Sequence, residues 1–142
     1  MHDDQIELEA LLLCAHLDLG GPPGAQQVVG VRFAGVPLMK QFPAIIEAKV
    51  CLFAMLGRVT QSVGVTLVLV DLENEDGEPP WKKQYLAQPP ADVRGSSQVV
   101  GWLMGAKIPR AGQYRFEVRI GDRVLGARRW YVLQDPRTVP PT

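Results

Sequence analysis

The sequence predicts an all-β protein: a single antiparallel β-sandwich over residues 1–142, immunoglobulin-like or jelly-roll-like. Three observations carry this. Residues 113–120 alternate without a break, with Tyr114, Phe116, Val118 and Ile120 on one side and Gln113, Arg115, Glu117 and Arg119 on the other. That is the period of a half-buried strand. Gly121-Asp122 follows as a two-residue hairpin turn, and Arg123 to Leu133 returns. Elsewhere Gly, Pro and Asn-Asp clusters punctuate the chain at short intervals and no interior helix is evident, so about eight or nine strands are expected.

Taken in order, residues 1–5 are polar and expected to fray. Ile6 to Leu19 fits either a helical stripe (Leu8, Leu11, Leu12, Ala15) or a strand apolar on both faces. The breaker Gly20-Gly21-Pro22-Pro23-Gly24 and the β-branched run to Phe33 favour strand, turn, strand. Ala34 to Ala44 holds Pro37 and Pro43, which cannot donate ladder hydrogen bonds, and reads as a loop or crossing segment. Strands are expected at Glu47 to Leu56, Ser62 to Leu72, Trp81 to Ala87 and Gln98 to Lys107. Asn74-Glu75-Asp76-Gly77 is a turn, Gln88 to Ser97 a loop, and 135–142 a loose Pro-rich tail.

Totals exclude some function classes. Lys plus Arg and Asp plus Glu are 15 each, so no charge excess draws the chain to nucleic acid or anionic lipid. Balanced charge permits self-association. Hydrophobic residues at 46% argue against disorder. His2, Asp3 and Asp4 stand where a signal peptide has its cationic region, and Ala10 to Ala15 is too short to span a bilayer. The expectation is a soluble cytoplasmic protein with no membrane contact. Cys14 and Cys51 both lie in apolar runs. Two buried thiols is the plainer reading, and a disulfide between neighbouring strands the other. No second Cys or His stands at ligand spacing to either, so no metal and no cofactor is expected.

The strands differ in their second faces. The 113–120 strand has one polar face, whereas Ser62 to Leu72 is apolar on both: Val63, Val65, Leu67 and Leu69 on one, Val68, Val70 and Leu72 beside Thr66 on the other. Val50 to Leu56 is also two-faced. A lone sandwich buries one face of each sheet. A loop, the first strand or another copy of the chain must cover the second. A homo-oligomer is therefore expected, with Val68, Val70 and Leu72 as its candidate face. The closing hairpin admits two registers. An unbroken two-residue turn sends Leu125, Ala127, Arg129, Tyr131 and Leu133 inward, and a bulge near Arg128-Arg129 substitutes Trp130 and Val132.

Ile108-Pro109-Arg110-Ala111-Gly112-Gln113-Tyr114 resembles the late strand of immunoglobulin-like sandwiches, where a Tyr after a Pro or Gly makes a tyrosine corner. With the early apolar pair (Leu11 to His16, Val28 to Phe33), the Phe42-Pro43 step and Gly112-x-Tyr114-x-Phe116, the chain is similar to a family of small bacterial sandwich proteins with no assigned activity. The resemblance implies a fold and carries over no catalytic residue.

Candidate chemistry is sparse. His16 has no Ser, Cys or acidic partner at a telling distance in sequence, and a hydrogen-bonded or edge histidine is its default reading. The acidic run from Asp71 to Glu78 lacks calcium-loop spacing and reads as a hairpin turn with a solvated rim. Trp81-Lys82-Lys83-Gln84-Tyr85 and Arg128-Arg129-Trp130-Tyr131 set cations beside aromatics, a mix that binds glycans, peptides or single-stranded nucleic acid by stacking when exposed and is ordinary strand when not. Zero net charge and the lack of a long basic stripe argue against nucleic acid. Three functions follow. The first is a non-catalytic sandwich acting through protein–protein contacts, with itself or an unidentified partner. The second is a small-ligand or glycan-binding module using Trp81, Tyr85, Trp102 and Trp130. The third is an enzyme with carboxylate chemistry, for which no base–nucleophile pair is visible.

Overall fold

The computed structural model describes residues 5–21, 27–34, 38–91 and 95–136, the side chains of 27–31 and 38 excepted. The strands are β1 (Glu7–Gly20), β2 (Gln27–Phe33), β3 (Leu38–Met39), β4 (Ala44–Ile45), β5 (Cys51–Gly57), β6 (Val63–Asp71), β7 (Trp81–Ala87), β8 (Ser97–Trp102), β9 (Lys107–Ile108), β10 (Gly112–Ile120) and β11 (Arg123–Gln134). The eight longer strands lie where the sequence leads one to expect them. The other three are two-residue ladders, too short for a period to show. The chain is all-β, as expected, and Ile6 to Leu19 is strand.

Two sheets face each other, one ordered β2-β1-β5-β8 and the other β3-β11-β10-β6-β7, with a small β4-β9 ladder besides. The five-stranded sheet is antiparallel except where β3 runs parallel to the end of β11. One core fills the space between them. Leu13, Leu52, Ala54, Leu56 and Val99 come from the first sheet, and Val65, Leu67, Leu69, Phe116, Val118 and Val132 from the second. Phe116 sits at its centre, its ring 5.1 Å from Trp130 and 6.3 Å from Trp81. Burying side chains of this size supplies most of the driving force for folding.

Several expectations are corrected. The Glu47 start of the fifth strand and the Lys107 end of the eighth are both too generous, since β5 begins at Cys51 and β8 stops at Trp102. The eighth strand ends because Gly105 takes φ +91°, a conformation that turns the chain. Within that turn the Ala106 amide donates to the Leu103 carbonyl at 2.9 Å. The supposed loop 34–44 contains β3, docked beside Leu133. The tail does not loosen at 135: Asp135 is buried and its amide donates to the Met39 carbonyl at 2.9 Å. The predicted frayed start (1–4), the Pro22–Gly24 breaker and the tail from 137 lie outside the described residues.

The closing hairpin takes the swapped register. Ile120 pairs with Arg123 across the turn, and Val118 then pairs with Gly126, so a bulge falls at Leu125 rather than at Arg128-Arg129. Trp130 and Val132 turn inward and are buried. Gly121 adopts φ +58°, as the first position of a type II′ turn requires. The tyrosine-corner contact is present: the Tyr114 hydroxyl donates to the Arg110 carbonyl four residues upstream, at 2.5 Å. Burial pushes the Tyr114 phenol up, so it stays a neutral donor. The Arg110 guanidinium pairs with Asp71 and Glu73, tying the corner to the end of β6.

Candidate interaction face on the four-stranded sheet

Alternation along β1, β5 and β8 sends one set of residues to the core and the other to the outer face of the sheet. The ladder aligns that outer set in rows. Phe33, Cys14, Cys51 and Trp102 stand side by side across all four strands. Leu12, Phe53 and Val100 form the next row, and Ala10, Met55 and Gln98 the third. A bulge between Cys14 and His16 then returns Leu17 and Leu19 to the same cluster. His16 and Asp18 fall outside it, exposed and hydrogen-bonded at 2.9 Å.

The middle of this face is dry and its ends are wet. Cys14, Cys51 and Phe53 are fully buried, with Leu12, Met55 and Val100 half-buried around them. Phe33 is 59% and Trp102 49% exposed. Met104, just past the end of β8, is also exposed. An apolar row ending in two solvated aromatics is the composition of an interaction surface. Burial pushes the Cys51 thiol up to about 11, and the neighbouring Cys14 sulfur adds to the effect. Burial likewise raises Cys14, less so because the Cys51 thiol donates to its sulfur and Arg128 is nearby. Both are protonated at neutral pH and both are free.

The outer face of the five-stranded sheet is built differently. Val68 and Val70, expected to need a partner, are only 1% and 7% exposed in the single chain. The register sets Glu117 and Lys82 beside Val68, and Arg115 beside Val70. The aliphatic stems of such residues cover apolar neighbours while the charges stay in water. Glu117 is buried, accepting from Arg115 Nε at 2.6 Å and Arg119 Nε at 2.8 Å. Burial raises its pKa, but the two guanidiniums outweigh burial and hold the carboxyl below its ordinary value. Leu72 is half-buried at the end of β6.

The four aromatics proposed for ligand binding do not share one exposed site, although the Tyr85 hydroxyl, like the Trp81 indole, hydrogen-bonds the Trp102 backbone. Trp81 and Trp130 are core residues on either side of Phe116. The Trp81 indole donates to the Trp102 carbonyl at 3.1 Å, while the Trp102 ring lies on the outer face of the other sheet. Tyr85 lines a cleft of about 620 Å3 with Thr66, Lys82, Gln84, Arg119 and Asp122. The acidic run is drawn into ion pairs, Asp71 and Glu73 with Arg110 and Glu75 with Arg115. The apolar row was missed from sequence, although both cysteine strands read as two-faced. Only the register reveals that their second faces coincide.

No curated protein and no solved structure matches the chain. A family model does, over residues 9–133, from β1 almost to the end of β11. The chain belongs to that family, a family of unknown function designated DUF6941.

Proposed function

We propose that this chain is a non-catalytic interaction domain that pairs with a second copy of itself through the outer face of the four-stranded sheet. The row Phe33–Cys14–Cys51–Trp102 carries the reading, because it is apolar from edge to edge and its two ends are solvated. A two-fold pairing of identical faces suits a row of apolar side chains, on a chain of zero formal net charge. Val68 and Val70 are already withdrawn from water, which moves the expected oligomer face to the opposite sheet. Light scattering on a sizing column is the test. Wild type should run as a dimer of the 15.6 kDa chain, and Phe33→Asp as a monomer with an unchanged circular dichroism spectrum. A wild-type monomer at every concentration contradicts the proposal.

A second reading, a small-ligand module, rests on the Tyr85 cleft. Lys82 and Arg119 on its wall favour an anionic group. A thermal-shift panel of carboxylates and phosphosugars tests it: a hit abolished by Tyr85→Ala supports the cleft, and no stabilisation by any member rejects it.

A further inference from the structure

We propose that Cys14 and Cys51 form a reversible disulfide site, closed by a small-molecule disulfide and reopened by excess thiol. The inference goes beyond the pairing of chains and stands whether or not that pairing occurs.

The geometry places the two thiols for each other. Cys14 on β1 and Cys51 on β5 are direct register partners on the same face. The Ala34 amide donates to the Leu13 carbonyl at 3.0 Å, so Leu13 bonds toward β2 and Cys14 toward β5. The Leu103 amide donates to the Val50 carbonyl at 2.9 Å, so Val50 bonds toward β8 and Cys51 toward β1. Cys14 and Cys51 are therefore a hydrogen-bonded antiparallel pair, for which Cα atoms stand about 5.5 Å apart. A disulfide tolerates roughly 4.4–6.8 Å. Their Cβ atoms, roughly 4.5–5.5 Å apart in such a pair, must approach to roughly 3.5–4.5 Å. Closure is feasible without rearranging the fold, and it strains the ladder. A strained disulfide is readily reduced, which makes the site reversible rather than a permanent staple.

Access and order of attack follow from the surroundings. The β1–β2 ladder is interrupted beside Cys14 by the bulge before His16, and an interrupted ladder opens locally more easily than an unbroken one. Burial raises the Cys14 thiol, but the Cys51 thiol donates to its sulfur and Arg128 offsets part of the rise, whereas nothing offsets it at Cys51. Cys14 loses its proton to solvent and attacks one sulfur of the small disulfide, expelling a thiolate that takes up a proton. Cys51 then loses its proton, and its sulfur displaces the second small thiol from Cys14. The two protein thiols lose two electrons and two protons, and the small disulfide gains them as two thiols.

The test uses the full chain, diluted and incubated with oxidised glutathione, then denatured, alkylated and weighed. The expected product is a monomer that has lost both alkylatable thiols together and the mass of two hydrogens, with residues 14 and 51 joined in the peptide map. Excess reduced glutathione restores both. Retention of both thiols overturns the proposal. So does a product joined between chains, or one that carries glutathione on a single cysteine.

Discussion

The outer faces of the two sheets solve one problem in opposite ways. Both carry apolar residues that the shared core does not use. On the five-stranded sheet, Val68 and Val70 lie among Arg115, Glu117 and Lys82, and the charged side chains close over them within one chain. On the four-stranded sheet, Cys14, Cys51 and Phe53 are ringed by Leu12, Met55 and Val100, and the row ends in the exposed rings of Phe33 and Trp102. Burial of apolar residues on an outer sheet face therefore does not by itself mark an interface. What surrounds them decides: a charged rim completes the surface, and an aromatic rim leaves apolar area in contact with water.

The largest effect that sharpens this contrast comes from Phe53→Ala. Phe53 is fully buried on an outer face, and its loss should cost about 3 kcal/mol, close to a true core phenylalanine, by urea denaturation. A cost below about 1 kcal/mol breaks the description of a second packed cluster. Next comes Glu117→Gln, which leaves Arg115 and Arg119 without their buried carboxylate and should cost about 1–3 kcal/mol. The sign with pH is fixed. The folded pKa of Glu117 is depressed, so its stabilisation is fully present above the ordinary carboxylate range and is lost as pH falls through the lowered folded value. The urea midpoints of wild type and Glu117→Gln should differ at pH 7 and converge in acid. Tyr114→Phe is smaller: it removes the hydroxyl donor to the Arg110 carbonyl and should cost about 0.5–1.5 kcal/mol. The smallest effect on stability belongs to Trp102→Glu, within about 0.5 kcal/mol, because the ring is half-exposed.

The fold was legible wherever a strand was long enough to show its period. Residues 113–120 alternate, and their inner set matches the core, as does the Val63, Val65, Leu67 and Leu69 face of the two-faced strand. The Tyr114 corner was legible as well, from a Pro and a Gly before a strand-opening Tyr. Two-residue ladders such as β3 were not, since pairing that short depends on tertiary contact with β11. Nor was the bulge placed at Leu125, although Gly126 beside it is the residue type that marks a bulge or a close approach inside a strand. The candidate face was half legible. Sequence shows that β1 and β5 have apolar second faces, but not that Cys14 meets Cys51 or that Phe33 and Trp102 complete their row. Those are facts of strand order. One strand's alternation points to Val68, Val70 and Leu72 as a second apolar face, because the charged neighbours that flank Val68 and Val70 lie on other strands and cannot be seen from it.

Sedimentation velocity of wild type, Trp102→Glu and Lys82→Glu side by side tests the contrast most directly. Trp102 lies on the open face and Lys82 on the closed one. Wild type and Lys82→Glu should sediment as the same dimer, and Trp102→Glu as the 15.6 kDa monomer. A monomeric wild type, or a dimer lost in Lys82→Glu and kept in Trp102→Glu, contradicts the contrast.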